Sequence, residues 1–252
     1  MLVAERYEKI VRLVNERGSI RVSELSELCE VTEETIRRDL DRLESAGRLK
    51  RSHGGAVSVK EPQSEIPYFE REIIRSEEKK RIAQEAVKRI EPYDRIILDA
   101  STTAWYMASY LPDIPLTVLT NSIKVAAELS GKEKVEVIST GGQLAKRSLS
   151  SVGPLAERSL EAYHVDKLFF SCKGVHLDRG ISESNELQSR VKQKMIDIAD
   201  QVILLADASK FGVRAFTQVT ELGEVDAIIT DRALSAEIVE QLREREISLT
   251  LV

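Results

Sequence analysis

The chain has 252 residues, of which 42% are hydrophobic and 31% charged, and its formal net charge is −5. This composition is ordinary for a folded protein, and the length suffices for one small domain plus a larger core or for a single α/β domain. The sequence lacks an apolar signal-peptide core and any uncharged run near the ~18 residues of a membrane span. Two cysteines, Cys29 and Cys172, provide neither a disulfide framework nor metal-ligand spacing. We therefore expect a cytoplasmic protein without a metal or other cofactor.

The first sixty residues predict three helices followed by a β-hairpin. Apolar residues at helical spacing predict a first helix that ends at Gly18, a second that begins at Ser23 as its N-cap, and a third that runs from Thr32 to about Ala46. Two short strands then flank the turn "SHGG", residues 52–55, whose glycines permit a tight hairpin. Helix, helix, short turn, helix and two-stranded wing is the order of a winged helix-turn-helix domain.

Positive charge is concentrated in the third helix and the wing. Residues 37–60 carry a net charge of +4 on an otherwise acidic chain, as local contact with phosphates would require. Ile36, Leu40 and Leu43 share the inward face of the third helix, so its arginines point outward and can enter a major groove. The wing is expected to contact backbone phosphates, and His53 is interpreted as a turn residue near phosphate and not as a metal ligand. The predicted DNA-binding residues are Ser23, Thr32, Glu34, Thr35, Arg37, Arg38, Arg42, Arg48, Lys50, Arg51, His53, Gly54 and Gly55.

The stretch "VSELSELCEVTEETIRRDLDRLESAGRLKRSHGGA" resembles the DNA-binding head of the DeoR family of bacterial transcriptional regulators. The family's recognition-helix pattern is matched from Thr35 to Leu40, and its Gly-Gly-Ala wing from Gly54 to Ala56. Thr32 replaces the usual serine and keeps the capping oxygen. The resemblance continues through nearly all of the chain.

The remainder of the sequence predicts a linker and an α/β domain. We expect a DNA-binding domain over residues 1–57, a linker over 58–76 and an effector domain over 77–252, whose first helix is capped at Ser76. Apolar strand-like segments then alternate with helical ones, which predicts a mostly parallel sheet covered on both faces. The predicted strands are "RIILDA", "LTVLTN", "VEVIST", "DKLFFSC", "QVILLAD" and "DAIITD", and the predicted helices are 104–111, 123–129, 154–162, 187–198 and 236–246.

Polar residues follow the ends of these strands. Ligands of parallel sheets bind outside the carboxyl ends of the strands, where helix-start amides, hydroxyls and cations suit a phosphate and Asp, Asn and Glu suit sugar hydroxyls. The candidate effector-binding residues are Asp99, Ser101, Thr102, Thr103, Asn121, Ser122, Gly141, Gly142, Arg147, Lys173, Gly174, Glu183, Glu186 and Lys210. Cys172 has no His partner in its motif, so we interpret it as a small packed thiol and not as a nucleophile.

The resemblance implies an effector domain related in fold to ribose-5-phosphate isomerase that binds phosphorylated sugars. The family usually has glycine where Ser101 stands, which would strain Ser101 if that position required a positive φ.

Three classes of function fit the pattern. The first, which we expect, is a transcriptional repressor of a sugar-catabolism operon that binds double-stranded operator DNA as a dimer or tetramer and responds to a phosphorylated sugar. The second is a sugar-phosphate isomerase or transferase with a DNA-binding head, in which Glu183, Glu186 or Asp207 would have to act as general base. The third, a DNA-binding scaffold without a ligand, leaves the polar loops unexplained. We therefore expect a protein that is not an enzyme.

Overall fold

The computed structural model describes residues 3–17, 19–52, 54–57, 65–245 and 247–252, and it divides the chain into two compact units, residues 1–64 and 65–252. Gly18, His53 and residues 58–64 of the predicted linker lie outside the described residues. The two units are described separately.

The first unit is a small α/β domain with a three-stranded antiparallel sheet. Its strands lie in the order β1-β3-β2. Its elements are α1 (Val3–Arg17), β1 (Ser19–Arg21), α2 (Val22–Cys29), α3 (Glu33–Ser45), β2 (Lys50–Ser52) and β3 (Gly55–Val57). The predicted winged helix-turn-helix is confirmed, because α3 follows α2 after a short turn and β2 pairs with β3 as the wing.

The packing of the first unit follows the apolar pattern of its helices. Ile36, Leu40 and Leu43 are buried on the inner face of α3, in one cluster with residues of α1 and α2. The Thr32 hydroxyl accepts a hydrogen bond from the Thr35 amide at 3.3 Å, which confirms the predicted cap of α3. Gly47, at φ +68°, follows the end of the helix in the left-handed conformation that glycine favours.

The prediction that Ser23 caps α2 is wrong. The helix begins at Val22, and the residue before it, Arg21, caps it without a side-chain hydrogen bond. The unpredicted strand β1 leads directly into the helix, so Val22 is buried and its amide donates to the Gly54 carbonyl oxygen at 2.9 Å. Ser23 therefore lies in the first turn, exposed to solvent.

The second unit begins with two helices and continues as an α/β domain. Its helices are α4 (Tyr68–Ile73), α5 (Ser76–Val87), α6 (Thr102–Tyr110), α7 (Ile123–Leu129), α8 (Pro154–Leu160), α9 (Glu186–Asp197) and α10 (Ala236–Glu244). Its strands are β4 (Arg95–Leu98), β5 (Leu116–Thr120), β6 (Val135–Ser139), β7 (Gln143–Ala145), β8 (Ser150–Val152), β9 (Val165–Phe170), β10 (Gly174–His176), β11 (Gly180–Glu183), β12 (Ala199–Leu205), β13 (Thr217–Thr220), β14 (Ala227–Thr230) and β15 (Ser248–Leu251).

The main sheet has seven strands in the order β15-β14-β12-β9-β4-β5-β6, and every pairing in it is parallel. The six predicted strands are confirmed, and buried apolar clusters cover both faces of the sheet. From β4 the chain moves outward through β5 and β6, and then returns to the other side of β4 with β9. The carboxyl ends of β4 and β9 therefore flank the topological switch point, where open α/β sheets bind ligands.

Part of the predicted linker belongs to the second unit. Two prolines and mixed polarity predict a linker over residues 58–76, whereas the structure forms α4 within residues 65–76. Tyr68 is 1% exposed, and its amide donates to the Arg147 carbonyl oxygen at 2.7 Å. The predicted cap at Ser76 is also wrong, because α5 begins at Ser76 and Arg75 precedes it at φ +53° without a side-chain cap.

Two small sheets and one edge strand were not predicted. β7 pairs with β8, β10-β11-β13 form a second antiparallel sheet, and β15 extends the main sheet. Over the described ranges, the structure has no helix with the length and apolar character that crossing a bilayer requires.

Candidate functional site

The outer face of α3 presents two arginines to solvent. Arg37 and Arg38 lie on this face with Glu34 and Asp41, at spacings of three and four residues. Arg37 donates to Glu33 at 2.7 Å, and Arg38, whose side chain is 72% exposed, lies 3.7 Å from Glu34. Exposed pairs of this kind contribute about 0–1 kcal/mol, so both guanidinium groups can exchange a carboxylate for a phosphate or a base edge at small cost.

Three other predicted DNA-binding arginines are held by the first unit itself. Arg42 donates to the Tyr7 hydroxyl at 3.2 Å, and Arg51 pairs with Asp41. Arg48 lies before β2 and not on the wing strands, and it donates to Glu8 at 2.9 Å. The hydrogen bond from Arg48 lowers the pKa of the Glu8 carboxyl. Lys50 lies on β2 and is exposed.

A buried ion pair that sequence reasoning missed fixes the recognition helix to α1. Arg6 donates to the two carboxylate oxygens of Asp39 at 2.6 and 3.3 Å, and Asp39 is 3% exposed. The hydrogen bond to Asp39 raises the pKa of Arg6 against the opposing effect of burial. Asp39 is thus the inward-facing charge on a helix whose other charges face solvent. Its place among the buried positions 36, 40 and 43 is the one feature of the sequence that could have predicted its burial.

The second unit has a pocket at the switch point between β4 and β9. Residues after both strands line it, together with side chains from α4 and α5. The lining residues are Glu65, Ile66, Arg71, Ile74, Arg75, Lys79, Ser101, Thr102, Thr103, Ser171, Cys172, Lys173, Glu183, Ser184, Lys192, Asp207, Ser209 and Lys210. Six of them are cationic and three are acidic, so the lining carries an excess of positive charge.

The floor of the pocket is a buried ionic cluster centred on Lys192, a residue that sequence reasoning missed. The Lys192 ammonium pairs with Glu183 and lies 3.2 Å from Asp99, and it donates to the Ser171 carbonyl oxygen. Burial alone would lower the pKa of Lys192, but the two carboxylates outweigh it and raise the pKa. Asp99 also accepts hydrogen bonds from the amides of Ser101 and Ser171, each at 3.1 Å. Asp99 and Glu183 are therefore held by the protein, and Asp99 does not line the pocket.

Four cations above this floor are only partly neutralised. The Nε and Nη2 atoms of Arg71 are buried and have no hydrogen-bond partner among the described residues, and Nη2 lies 3.8 Å from a carboxylate oxygen of Glu65. Burial lowers the pKa of Lys173 and lowers the pKa of Lys79 to about 8, and the positive charge of Lys210 is the second cause for both groups. Mutual repulsion of this kind is relieved by a bound anion, and the free edge of an arginine can hold two oxygens of one phosphate.

The start of α6 adds polar groups to the same pocket. The Ser101 hydroxyl accepts from the Ala104 amide at 3.0 Å and so caps the helix, and Thr102 and Thr103 follow in its first turn. The φ of Ser101 is −81°, so serine stands there without the strain that a left-handed conformation would impose. First-turn amides of a helix favour an anion nearby.

Several predicted effector-binding residues do not line this pocket. Asn121 and Ser122 follow β5, and Gly141 and Gly142 follow β6, which is two strands, or ~10 Å, from β4. Glu186 is exposed and pairs with Arg190 at 2.7 Å. The others outside the lining are Asp99, which the ionic cluster holds, Arg147, whose carbonyl oxygen accepts a hydrogen bond from the Tyr68 amide, and Gly174, which packs closely against the backbone of Val213.

Cys172 lines the pocket as a buried thiol. Burial raises its pKa to about 12, so the thiolate is scarce at neutral pH, as expected of a packed cysteine. Among the described residues, no three His, Cys, Asp or Glu side chains are grouped so that they could hold a metal ion.

Comparison with known families decides what kind of protein this is. A family model described as a DeoR-like helix-turn-helix domain matches residues 6–62, and one described as a DeoR C terminal sensor domain matches residues 74–232. The chain belongs to the DeoR family. It is accordingly a DNA-binding transcriptional regulator, in which the first unit carries the helix-turn-helix and the second unit is the sensor domain.

Individual relatives support this assignment over the full length. The chain is 58% identical over 252 residues to an uncharacterized HTH-type transcriptional regulator, YulB, of Bacillus subtilis, covering 100% of this chain and 98% of that protein. It is 38% identical to the L-fucose operon activator of Haemophilus influenzae, with 98% and 99% covered, and 39% identical to the HTH-type transcriptional repressor GlcR of Bacillus subtilis, with 92% and 90% covered.

Solved structures with similar folds include a ribose 5-phosphate isomerase of Methanocaldococcus jannaschii and the full-length sorbitol operon regulator SorC of Klebsiella pneumoniae. The first is 17% identical and covers 53% of each chain at a TM-score of 0.39. The second is 12% identical and covers 98% of this chain and 94% of the other at a TM-score of 0.40.

Proposed function

We propose that this DeoR-family regulator represses a sugar-catabolism operon and that a phosphorylated sugar, bound in the pocket of the sensor domain, changes its affinity for operator DNA. The observation that carries the proposal is the set of cations around that pocket, Lys79, Lys173, Lys210 and above all Arg71, whose Nε and Nη2 make no hydrogen bond within the described part of the chain. Neutral hydroxyls do not require such charge, whereas a phosphate dianion does.

The pocket lining also offers groups for a sugar. The hydroxyls of Thr102 and Thr103 and the carboxylate of Glu65 line the same pocket as the cations. Burial raises the pKa of Glu65, so this carboxyl can pass between accepting and donating a hydrogen bond near the sugar. The name of one relative supports a sugar effector, because it is an L-fucose operon activator.

On the DNA side, we propose that Arg37 and Arg38 read base edges from the outer face of α3 and that Lys50 contacts a backbone phosphate. The exposure of these side chains and their weak pairing support this assignment. A regulator that reads a twofold operator acts as a dimer or tetramer, in the cytoplasm where the DNA lies.

We propose further that the sensor domain binds its sugar phosphate without converting it. Glu183 is bound to Lys192, and Asp207 accepts hydrogen bonds from the amide and hydroxyl of Ser209, so neither carboxylate is available as a general base. Prolonged incubation of the pure protein with aldose and ketose phosphates should give no turnover. Sustained conversion that is lost in Glu65→Gln would instead favour an enzyme.

A ligand screen tests the proposal. Thermal unfolding is measured with a panel of phosphorylated sugars and, in parallel, their unphosphorylated forms, and only phosphorylated sugars should raise the midpoint. Lys210→Ala should abolish that rise and the effect of the ligand on operator binding, with operator affinity itself unchanged. Lys146→Ala is the matched control, because Lys146 is exposed and outside the pocket. Equal responses to both forms of the sugar, or an unaffected Lys210→Ala variant, would refute the phosphate-binding role of the pocket.

A further inference from the structure

Residues 65–75 border the pocket, and we call this segment the strap. It begins at the first residue of the sensor unit, contains α4 and ends at the turn into α5. Its residues that line the pocket are Glu65, Ile66, Arg71, Ile74 and Arg75. Among the described parts of the sensor domain, the strap is thus the one nearest in sequence to the DNA-binding head, and it also borders the ligand site.

One buried side chain and a few hydrogen bonds hold the strap on the domain. Tyr68 is the one buried residue of the strap, all of which the structure describes. Its amide donates to the Arg147 carbonyl oxygen at 2.7 Å, and the Tyr106 hydroxyl donates to the Glu72 carbonyl oxygen at 3.1 Å. The other apolar side chains of α4 are exposed. The docked strap therefore buries little apolar surface, and segments of this kind open more readily than the core of a domain.

The turn at the end of the strap adds a conformational cost to docking. Arg75 joins α4 to α5 at φ +53°, in the left-handed region that residues with a Cβ atom rarely adopt. Its Nε atom lies 3.7 Å from a carboxylate oxygen of Asp207, so an ion pair helps to hold this turn. A strap that swings away from the domain about Arg75 is free of the left-handed conformation.

Buried polar atoms add a second cost. The Tyr68 hydroxyl and the Nε and Nη2 atoms of Arg71 are buried and have no hydrogen-bond partner in the described part of the chain. Water would hydrate the same atoms in an undocked strap, so burying them without a partner opposes docking. A phosphate in the pocket would accept hydrogen bonds from Arg71 and remove much of this cost.

Repulsion between cations is the third cost. Arg71 lines the same pocket as Lys79, Lys173 and Lys210, and the Lys79 ammonium donates to the Arg71 carbonyl oxygen. The charge of Arg71 is among the causes that lower the pKa of Lys79 and the pKa of Lys173, after burial and the charge of Lys210. An anion between these groups reverses the effect, because it attracts all four cations.

We propose that the strap is a switch operated by the ligand, docked when an anion occupies the pocket and partly undocked when none does. The structure has the docked form. Burial of Tyr68 favours docking, whereas the three costs oppose it, and two of them disappear when a phosphate binds. A two-state element of this kind couples binding to a change at the start of the sensor domain. This regulation rests on the function proposed above, which supplies the anion.

Hydrogen–deuterium exchange of the full chain tests the switch, with inorganic phosphate as the probe and chloride at equal ionic strength as the control. Mass spectrometry of peptides from the strap reports docking, because the Tyr68 amide is bonded to the domain only in the docked form. Phosphate should slow exchange in the strap at least ~5-fold, the lower end of typical coupling between a ligand and a conformational change. Peptides from α10, which does not line the pocket, should exchange at an unchanged rate.

Two substitutions of Arg75 form a matched pair. Arg75→Gly and Arg75→Ala both remove the guanidinium group, but only glycine adopts the left-handed conformation without strain. The phosphate concentration that half-protects the strap should be roughly 5-fold lower in Arg75→Gly than in Arg75→Ala. A strap that is always docked would give equal affinities, because the strain would then be the same with and without phosphate.

A second pair of variants leaves the pocket untouched. Tyr106→Phe removes the hydrogen bond to the Glu72 carbonyl oxygen, and Tyr106 does not line the pocket. This variant should bind phosphate about 2–10-fold more weakly, because fewer molecules have a docked strap. Tyr163→Phe is the matched control, since Tyr163 is 40% exposed outside the pocket, and its affinity should equal that of the parent.

The results separate this inference from the proposed function. Phosphate that raises the thermal midpoint but leaves exchange in the strap unchanged would overturn the switch alone. Equal affinities in the two Arg75 variants, or in Tyr106→Phe and the parent, would do the same. If neither phosphate nor any phosphorylated sugar of the panel bound, both proposals would fall.

Discussion

Replacement of Lys192 by methionine tests whether the ionic cluster beneath the pocket stabilises the sensor domain. Methionine keeps most of the length and apolar stem of lysine but removes the charge that Asp99 and Glu183 share. All three residues are at most 9% exposed, so water replaces the lost cation poorly. We expect the variant to fold with a large loss of stability.

The magnitude follows from the burial of the two carboxylates. Removing one partner of a buried ion pair costs about 3–5 kcal/mol, because the remaining charge stays buried and unpaired. Asp99 keeps two amide donors, so Glu183 is the carboxylate that is left without a charge partner in the variant.

Urea unfolding at neutral pH measures this loss of stability. Trp105 is the single tryptophan of the chain and lies in the sensor domain, so its fluorescence follows the unfolding of that unit. Parent and variant are compared at one protein concentration, since association also changes apparent stability. The free energy of unfolding of Lys192→Met should be about 3–5 kcal/mol lower than that of the parent. A deficit below about 1 kcal/mol would refute the role given to this cluster.

Three further predictions concern the DNA-binding head and the pocket. Arg38→Ala should weaken specific operator binding by about 1–3 kcal/mol in fluorescence anisotropy, and an equal loss on unrelated DNA would indicate a phosphate contact instead. Gly55→Ala should destabilise the head by at least about 1–3 kcal/mol in thermal unfolding followed by circular dichroism, because its Cβ would overlap the Ile20 carbonyl oxygen. Gly54 has a φ of +80° and open space around it, so Gly54→Ala should lower the stability of the head by only about 1–2 kcal/mol. Equal losses of stability in the two alanine variants would contradict the close approach of β1 and β3. The affinity for a sugar phosphate, measured by calorimetry, should fall as the pH rises through about 8, where Lys79 loses its proton. If Lys79→Met shows the same loss of affinity over this pH range, another group is responsible.

The sequence predicted most of the fold because the fold depends on regular patterns. The apolar strands and the helices between them were recognised, and buried residues such as Ile97 and Phe169 lie where that pattern placed them. The strands that were missed have three or four residues, and one of them, β15, lies at a sheet edge with only half-buried or exposed side chains. Short edge strands show little alternation of apolar and polar residues, so periodicity cannot reveal them.

The candidate site was predicted less completely, for a different physical reason. Reading polar residues at strand ends found Lys173 and Lys210, which lie after strands that flank or adjoin the switch point. It also included Gly141 and Arg147, because the sequence does not show the lateral order of the strands. It missed Arg71 and Lys192, since their positions depend on how α4 and α9 pack against the sheet. The number of residues between these side chains and the strand-end motifs does not indicate that they share a pocket.

The composition of the pocket bears on how binding at one unit can influence the other. Arg71 and Lys79 come from helices that follow the segment joining the two units, whereas Lys173 and Lys210 belong to loops of the sheet. An anion that bridges both groups favours the conformations in which those helices lie close to the sheet edge. The ligand changes the affinity for DNA only if it binds the DNA-bound and the DNA-free protein with different affinities. This difference is typically ~1–3 kcal/mol, and DNA must change the affinity for the ligand by the same factor. The chemistry of the pocket therefore sets what is bound, while the sign of the response depends on which of the two states binds the ligand more tightly. One pocket chemistry is thus compatible with a family whose members include both an operon activator and a repressor.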